Sequence, residues 1–404
     1  MSSFEATLAG ELAGIDQAGL RRALRRVESI EGGHLGYAGQ SLVQFASNDY
    51  LGLASHPQVV EAAIEAARRY GAGSTASRLV CGSLAPHHEL EELLAEWKKT
   101  EAALVFSSGF ATALGVIPAL LGNADIVVVD KLVHACCIDA ARLSGATLRV
   151  YRHNDLEHLE EILVWANEQR SGKGATKRVL IVTESVFSMD GDQAPLEQIV
   201  DLKDRYGAWL MLDEAHAVGI HGETHSGLAE ARGVADRVEV QMGTLSKALG
   251  ASGGYIAGRR ALVDYLVNSA RSFIFSTAPV PAASVAAAAA IRVVRSPEGD
   301  EMVGRLWRNI GTLDRILEPH RGKQDRAASS ILPWIVGPNQ KALDLADGLR
   351  RRGIFVPAIR FPTVPHGKSR LRFSVSAAHS PADFELLEKA LRELARETEP
   401  APAA

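Results

Sequence analysis

Cysteine is scarce in this chain of 404 residues, and the three that occur are odd in number. Cys81, Cys136 and Cys137 share no spacing typical of metal ligands, so neither a disulfide framework nor a cysteine-based zinc site is expected. We predict that they are reduced thiols of a cytoplasmic protein. The chain also has no large excess of charge of either sign, because it contains 44 basic and 48 acidic side chains and has a net charge of -4. A nucleic-acid-binding protein would usually show a basic balance or patch.

A long apolar run is missing as well. The most apolar stretch, Ala278–Ile291, contains two prolines and a serine and is shorter than the ~20 residues of a spanning helix. It predicts a buried, alanine-rich helix. Glu5 and Glu11 lie where a signal peptide needs a basic start followed by an apolar core. No membrane association is therefore expected.

Strand-like and helix-like segments alternate through the middle of the chain. The helical patterns include Leu156–Arg170 and Leu196–Tyr206. Such alternation predicts an α/β fold with a mostly parallel central sheet covered by helices on both faces. The expected strands are Ala103–Phe106, Asp125–Asp130, Thr147–Tyr151, Arg178–Val186, Trp209–Asp213 and Val238–Met242.

The flanking regions differ from this core. The N-terminal region reads as helical, with one helix starting at Pro57 and ending before Gly71. Near residue 290 the pattern changes to a long helix (Glu298–Leu317), a strand, a helix, two strands and a last helix (Pro381–Glu397). We therefore predict an arm at 1–55, a large α/β domain at 56–295 and a smaller α+β domain at 296–404.

The string LMLDEAHAVG ends a predicted strand with Asp213, Glu214 and His216. In open α/β sheets, ligands bind where strands end, although acidic residues also cap helices there. A DEAH-type nucleotide hydrolase would need a loop G-x-x-x-x-G-K-[ST]. The Gly-Lys pairs at 172, 322 and 367 all lack its first glycine, which excludes that class. The other functional interpretation is a carboxylate that keeps the ring nitrogen of pyridoxal phosphate (PLP) protonated.

That interpretation requires a lysine further along the chain, and MGTLSKALGASGG supplies Lys247 directly after a predicted strand. A partly buried lysine can lose its proton and form a Schiff base, whereas a lone lysine in a turn would be unremarkable. Thr244 and Ser246 are candidate phosphate ligands. In VFSSGFATA, Gly109 and Phe110 open a helix whose free N–H groups could bind phosphate, unless Ser108 is merely an ordinary cap.

Further candidates follow two other strands. His134 could stack on a flat ring, or be a simple loop residue, and Glu184 and Ser188 lie at the end of another strand. His216, His221 and His225 raise the question of a metal, but intervening glycines break any helix that could align them. No metal site is expected.

In this order, FASNDYLGL, SGFATA, TESVFSMDGD, DEAHAVG, GTLSKALG and RLRFSVSAAH closely resemble the α-oxoamine synthases, which are fold-type I PLP enzymes. The resemblance runs from about Phe45 to about Ser380. It implies a PLP-dependent acyltransferase that condenses an amino acid with an acyl thioester and releases carbon dioxide. The string AIRFPTVPHGKSRLRFSVSAAH points to the member of biotin synthesis that uses L-alanine and pimeloyl-ACP or pimeloyl-CoA.

The resemblance also implies residue roles. Lys247 would carry the cofactor, Asp213 would hold its ring nitrogen, His134 would stack on the ring and His216 would contact the ring hydroxyl. The remaining residues would serve the cofactor (Gly109, Phe110, Glu184, Ser188, Thr244, and Thr277 toward the neighbouring subunit) or the substrates (Arg25, Asn48, His134, Thr363 and Arg372). Arg372 would bind the amino-acid carboxylate.

Some points stay open at this stage. The family often has a Gly-Arg-Gly turn after DEAHAVG, where this chain has ETHSGLAE, and GSTASRLVCG has fewer glycines than in many members. These differences bear on substrate choice. A glycine C-acetyltransferase or a serine palmitoyltransferase-like enzyme would use the same residues, and a non-catalytic PLP-binding protein would share the scaffold. A cytoplasmic homodimer with shared active sites is expected, and acyl carrier protein is a possible partner.

Overall fold

The computed structural model describes residues 2–170, 177–321 and 326–398. The Gly-Lys pairs at 172 and 322 lie outside the described residues. The chain forms two compact units. One comprises the described parts of 51–188, together with 192–304. The other comprises the described parts of 1–50, 189–191 and 305–404.

The described strands are β1 (Val27–Glu31), β2 (His34–Tyr37), β3 (Gln40–Gln44), β4 (Ala102–Phe106), β5 (Ile126–Asp130), β6 (Thr147–Tyr151), β7 (Val179–Glu184), β8 (Trp209–Asp213), β9 (Val240–Thr244), β10 (Gly254–Gly258), β11 (Ile331–Gly337), β12 (Ile354–Phe355), β13 (Ala358–Ile359) and β14 (Ser369–Ser374).

The described α-helices are α1 (Ser3–Gln17), α2 (Pro57–Tyr70), α3 (Ala85–Trp97), α4 (Gly109–Leu120), α5 (Ala135–Ser144), α6 (Leu156–Arg170), α7 (Leu196–Arg205), α8 (Leu228–Ala231), α9 (Arg260–Ser269), α10 (Arg271–Ile274), α11 (Pro281–Val294), α12 (Pro297–Arg321), α13 (Asn339–Arg351) and α14 (Pro381–Thr398).

A seven-stranded sheet in the order β4-β10-β9-β8-β7-β5-β6 forms the centre of the larger unit. Its strands are parallel except β10, which runs antiparallel to both β4 and β9. Side chains of β5, β7 and β8 alternate between two buried apolar clusters, one packed with α4 and α5 and the other with α6 and α7. The predicted, mostly parallel sheet with helices on both faces is confirmed.

Most predicted elements of this unit are present with small boundary shifts. The helix α2 begins at Pro57, which fits a first helical turn because its missing N–H has no partner to lose there, and Gly71 follows it. The alanine-rich stretch forms α11, whose alanines 286, 287, 288 and 290 are buried. In the described part of the chain, no helix is both long and apolar enough to cross a membrane.

Two details of the sheet differ from the prediction. The strand expected at Val238–Met242 lies two residues later, at β9, and is preceded by a 3-10 turn at Ala235–Arg237. The strand β10 was not predicted at all, since its sequence GYIAG has glycine at both ends and reads as a continuation of the preceding turn. The shift of β9 places Thr244 at the end of a buried strand.

The smaller unit contains two sheets, in the orders β1-β2-β3-β12 and β11-β14-β13. The helices α13 and α14 belong to the same unit. Three strands lie between α13 and α14, so the predicted count of two was wrong. The N-terminal region is not helical throughout, because β1, β2 and β3 follow α1. The strand β1 is exposed throughout and β3 buries only its last three residues, and neither sequence, VESIE or QSLVQ, shows the apolar alternation that indicates a strand.

Candidate active site

The β4–α4 junction forms an anion-binding corner. Ser108 caps α4 by accepting a hydrogen bond from the backbone N–H of Ala111, at 3.0 Å. Gly109 and Phe110 occupy the first helical turn, where backbone N–H groups have no partner within the helix. A side chain on the neighbouring Gly254 would lie 2.6 Å from the backbone nitrogen of Gly109, so only glycine fits there. The corner can therefore bind a phosphate through backbone donors.

The end of β9 contributes hydroxyl groups to the same corner. The Thr244 and Ser246 hydroxyl oxygens lie 2.8 Å apart, and Thr244 also donates to the carbonyl of Gly253 at 3.0 Å. A Cβ on Gly109 would be 3.8 Å from the Thr244 hydroxyl oxygen. The structure thus brings together Gly109 and Thr244, two residues that the sequence predicted as phosphate ligands.

Asp213 ends β8 and is 5% exposed. One carboxylate oxygen accepts the backbone N–H of Ala215 at 2.9 Å. Burial raises the pKa of Asp213, whereas the positive charge of Lys247 lowers it. A buried carboxylate of this kind is stabilised by a cationic partner, such as a protonated ring nitrogen.

Lys247 follows β9, next to β8 in the sheet, and contacts His216. Its amine nitrogen is 2.7 Å from Nε2 of the His216 imidazole, which is buried. One of the two groups must donate and the other accept in this hydrogen bond. The predicted association of Asp213, His216 and Lys247 is therefore present as a spatial cluster at the ends of two neighbouring strands.

His134 caps the N-terminus of α5, and one edge of its ring is fixed by Cys136. Its Nδ1 lies 2.9 Å from the Cys136 sulfur and 3.3 Å from the Cys136 backbone nitrogen. The hydrogen bond with Cys136 raises the pKa of His134, although burial opposes it. A hydrogen bond from Cys137 lowers the pKa of Cys136 to about 6. No local pattern in the sequence indicates this contact between Cys136 and His134.

Glu184 ends β7 and is buried, with one carboxyl oxygen accepting the backbone N–H of Ser188 at 3.2 Å. Burial, and then the charge of Asp213, raise the pKa of Glu184 to about 8. Its other oxygen, Oε1, is buried and has no hydrogen-bond partner among the described residues. Glu184 and Ser188 thus join the group of polar residues that the sequence placed at strand ends.

Taken together, these groups fit PLP. The anion-binding corner at Gly109 and Gly254 can bind a phosphate, and the Asp213 carboxylate can pair with a protonated pyridine nitrogen. Lys247 is an amine of the kind that reacts with an aldehyde. Thr277, by contrast, lies on the surface in an isolated bridge with Ser77.

The smaller unit holds a second candidate cluster around Arg372 of β14. Arg372 is 5% exposed, and its guanidinium donates to the Ser374 hydroxyl at 2.7 Å. Both terminal nitrogens of the guanidinium lie 3.3 Å from the side-chain oxygen of Asn48. The Tyr50 hydroxyl donates to the same Asn48 oxygen at 3.0 Å. The predicted substrate residues Asn48 and Arg372 are therefore in contact. Tyr50 and Ser374 were missed, because residues so distant along the chain give no local pattern.

Thr363 and Arg25 were predicted to contact the acyl substrate. The Thr363 hydroxyl accepts a hydrogen bond from Arg22, at 3.2 Å, whereas Arg25 lies over the ring of Phe355, 5.8 Å from its centre. The arginine that contacts Thr363 is therefore Arg22 and not Arg25, and the sequence alone does not distinguish between the two. The roles of Thr363 and Arg25 stay predictions.

The three histidines considered for a metal have other surroundings. The Nε2 of His225 lies 2.9 Å from the carboxylate of Asp300, and His216 meets Lys247. Burial lowers the pKa of His221 to about 4. Across the residues described, no group of three or more His, Cys, Asp or Glu side chains is arranged to hold a metal ion.

Comparison with known proteins gives consistent matches. The family described as aminotransferase class I and II matches residues 40–391. An 8-amino-7-oxononanoate synthase of Anaeromyxobacter dehalogenans is 47% identical over 378 residues, which cover 94% of this chain and 92% of that protein.

Solved structures extend the likeness to the fold. A serine palmitoyltransferase of S. paucimobilis, with a PLP–myriocin aldimine bound, is 27% identical with a TM-score of 0.89 and 97% of both chains covered. An 8-amino-7-oxononanoate synthase of Francisella tularensis is 26% identical with a TM-score of 0.72, covering 89% of this chain and 99% of that one. The predicted fold class is confirmed by these matches.

Proposed function

The chain belongs to the class I and II aminotransferase family, in its α-oxoamine synthase group, and we propose that it condenses L-alanine with a pimeloyl thioester to give 8-amino-7-oxononanoate. The reaction also releases carbon dioxide and the free thiol. The product keeps every carbon of the pimeloyl group and all of alanine except its carboxyl carbon. The identity of 47% to a synthase of that name is the observation that carries the proposal.

PLP, when bound, withdraws electrons from the amino-acid α-carbon and so stabilises the carbanion that attacks the thioester. Asp213 would hold the ring nitrogen, because its carboxylate is buried and needs a cationic partner. Backbone N–H groups of Gly109 and Phe110, with the Thr244 hydroxyl, would hold the phosphate. His134 would lie against the ring, since its Nδ1 edge is already engaged by Cys136.

Lys247 would move the proton at the α-carbon of the substrate. An amine can accept a proton only in its neutral form, and the nearby His216 nitrogen, at 2.7 Å, gives that amine a defined hydrogen-bond direction. His216 is itself buried and so keeps a fixed position. We assign Lys247 as the base that removes the proton and as the acid that returns it.

Arg372 would bind the carboxylate of alanine until it is lost as carbon dioxide. A guanidinium offers two parallel donors that match a carboxylate. Asn48 and Ser374 already orient this guanidinium through its terminal nitrogens. Binding the carboxylate would therefore need little further ordering of the Arg372 side chain. Thr363 and Arg25 are assigned to the acyl substrate.

A homodimer with shared sites belongs to the same proposal. Leu79, Val80 and Phe275 expose large apolar side chains, Phe275 at 72%, on segments joined by the Ser77–Thr277 bridge. Such a patch favours association with a second copy. We assign Thr277 to the phosphate of the neighbouring subunit's cofactor. Mixing K247A subunits with T277A subunits should then give more activity than either variant alone, because one site of each mixed dimer has both residues intact. A mixture no more active than its separate components would contradict the shared site.

A substrate panel tests the proposed activity. The PLP-loaded protein is supplied with alanine, glycine or serine, each paired with pimeloyl, acetyl or palmitoyl thioesters, and products are identified by mass spectrometry. We expect the highest kcat/KM for alanine with a pimeloyl thioester, and pimeloyl-ACP and pimeloyl-CoA are compared as carriers. The high TM-score to a serine palmitoyltransferase makes serine with palmitoyl-CoA the second candidate. Preference for that pair, or for glycine with acetyl-CoA, would overturn the proposal, and no turnover at all would indicate a non-catalytic PLP-binding protein.

A further inference from the structure

Two buried carboxyl groups lie side by side at the ends of β7 and β8. The strands are parallel, and Glu184 is paired in register with Asp213. Paired residues of neighbouring strands point to the same face of a sheet, with strand axes about 4.8 Å apart. Glu184 is 2% exposed and Asp213 5% exposed. Water therefore cannot screen one carboxyl from the other.

Two adjacent buried carboxylates cannot both keep their charge without a large cost, so one of them takes up a proton. Asp213 is the better candidate for the charged form. It accepts the N–H of Ala215, and the charge of Lys247 favours its ionisation.

Hydrogen bonding identifies Glu184 as the protonated group. Its Oε2 accepts the backbone N–H of Ser188, at 3.2 Å, and the carboxyl group also accepts the backbone N–H of His134. Its Oε1 has no donor around it within the described chain, although it is fully buried. A negative charge on such an oxygen would have no hydrogen-bond donor to stabilise it, whereas a proton on Oε1 removes that charge.

We infer that Glu184 is held as a neutral carboxylic acid and acts as a positioning residue for the cofactor site. Its carboxyl group connects the turn that contains Ser188 with the helix cap at His134, because it accepts a backbone hydrogen bond from each residue. Its neutrality leaves Asp213 as the carboxylate that faces the ring nitrogen. This role rests on the proposed PLP chemistry, whereas the protonation itself is a property of the chain alone.

Burial and the charge of Asp213 outweigh the opposing positive charges around Glu184. Burial and then Asp213 raise the pKa of Glu184 to about 8, while Lys247 and His134 lower it. Cys137 of α5 also faces this region. The hydrogen bond that it donates to Cys136, then burial and the nearby carboxyl groups, raise the pKa of Cys137, so it stays an uncharged thiol. Glu184 therefore carries its proton below about pH 8 and loses it above.

Infrared spectroscopy of the full-length protein loaded with PLP tests the inference. A protonated carboxyl has a C=O stretch distinct from that of a carboxylate, and ¹³C labelling of glutamate at Cδ moves the glutamate bands but not those of aspartate. We expect one buried glutamic acid band at pH 7 that disappears with a midpoint near pH 8 and is missing in E184Q. E214Q combined with Lys98→Met is the matched control, because Glu214 is equally buried but paired with Lys98, and the double variant leaves neither charge of that pair behind. This double variant should keep the band.

A comparison of E184Q with E184A tests whether the hydrogen bonds of Glu184 position the cofactor site. E184Q presents an acceptor and a donor where the neutral acid has them, whereas E184A leaves the Ser188 and His134 N–H groups without their acceptor. We expect kcat/KM of E184A to fall about tenfold or more below that of E184Q. Because Glu184 loses its proton near pH 8, we also expect kcat/KM of the wild type to change around that pH, and this change to be missing in E184Q.

Absence of a glutamic acid band at pH 7, or a band that persists in E184Q, would overturn the inference. The wild-type pH titration decides this even if E184Q fails to fold. The band is also expected without PLP, since Asp213 keeps Ala215 and Lys247 as neighbours. A protein that shows the band but does not bind PLP would therefore contradict the proposed function and not the protonation of Glu184.

Discussion

The amine of Lys247 lies 2.7 Å from Nε2 of His216, and the two residues come from segments that follow neighbouring parallel strands. The imidazole is buried, so its position is set by the fold. This contact gives the lysine a defined direction beside Asp213. The pair therefore places an amine that can transfer protons next to a carboxylate that can hold a cationic ring.

Replacing Lys247 by alanine should reduce turnover of alanine and pimeloyl thioester at least about a thousandfold, because the variant loses both the covalent anchor and the base. The readout is product formation by the PLP-loaded variant. Lys389→Ala is the matched control, since Lys389 is an exposed lysine of α14. Near-normal turnover by Lys247→Ala would remove this residue from the mechanism.

Arg372→Ala should raise KM for alanine about a hundredfold, as expected for losing a charge-assisted, two-pronged contact with a carboxylate. KM for the thioester should change little. Arg372→Lys keeps the charge but not the paired geometry, so its KM should lie between those of the wild type and the alanine variant. An unchanged KM for alanine in Arg372→Ala would contradict the assignment.

Gly254→Ala tests the phosphate corner. The new Cβ would lie 2.5 Å from the Thr112 hydroxyl oxygen and 2.6 Å from the backbone nitrogen of Gly109, so the first turn of α4 must move. We expect Kd for PLP to rise about tenfold or more, measured by absorbance titration of the cofactor-free protein. Gly122→Ala is the control, because a Cβ there meets nothing within 4 Å. Equal affinities of the two variants would count against this corner as the phosphate site.

A buried ion pair supports the strand end that carries Asp213. Lys98 donates to the Glu214 carboxylate and, at 2.7 Å, to the carbonyl of Ser226. Lys98→Met leaves a buried charge unpaired and should destabilise the protein by about 3–5 kcal/mol in urea unfolding. Lys98→Met combined with Glu214→Gln should recover part of that loss.

The matched control is the exposed pair of Arg205 and Glu160. Its removal should change the free energy of unfolding by no more than ~1 kcal/mol. A Lys98→Met protein as stable as this control would show that the buried pair contributes nothing.

His153 lies between two carboxylates, 2.9 Å from Asp130 and 2.7 Å from Asp192. Burial lowers its pKa, but hydrogen bonds and charge from both aspartates outweigh burial and raise it to about 10. The folded state thus holds this proton more tightly than the unfolded state, whose histidine titrates near pH 6.5. The stabilisation is complete below about pH 6.5 and is lost as the pH rises through 10.

The stability advantage of the wild type over His153→Gln should therefore shrink between about pH 6.5 and 10, as measured by urea unfolding across that range. His88→Gln is the control, because the His88 side chain is 57% exposed. A difference between wild type and His153→Gln that does not vary with pH would contradict a charged His153.

The strand-end chemistry could be predicted from the sequence because its signals are local. Asp213 directly follows an apolar run, and Lys247 follows another. Their meeting is then a consequence of parallel strands, whose carboxyl ends share one edge of the sheet. The family resemblance supplied the remaining roles, of which those of Thr277, Thr363 and Arg25 stay predictions.

What could not be predicted depends on contacts without a local pattern. Tyr50 reaches Asn48 and Arg372 only after the chain has folded, and Cys136 acts on His134 through a side-chain direction that spacing alone does not fix. The strand β10 was not predicted, because its sequence begins and ends with glycine. The register that sets Glu184 beside Asp213 likewise appears only in the assembled sheet.

Chemical trapping of the cofactor tests the central assignment most directly. The protein is loaded with PLP, reduced with borohydride, digested and analysed by mass spectrometry. The account predicts one phosphopyridoxyl group, attached to Lys247 in the peptide containing GTLSKALG. A label on another lysine, or no label despite added PLP, would contradict it.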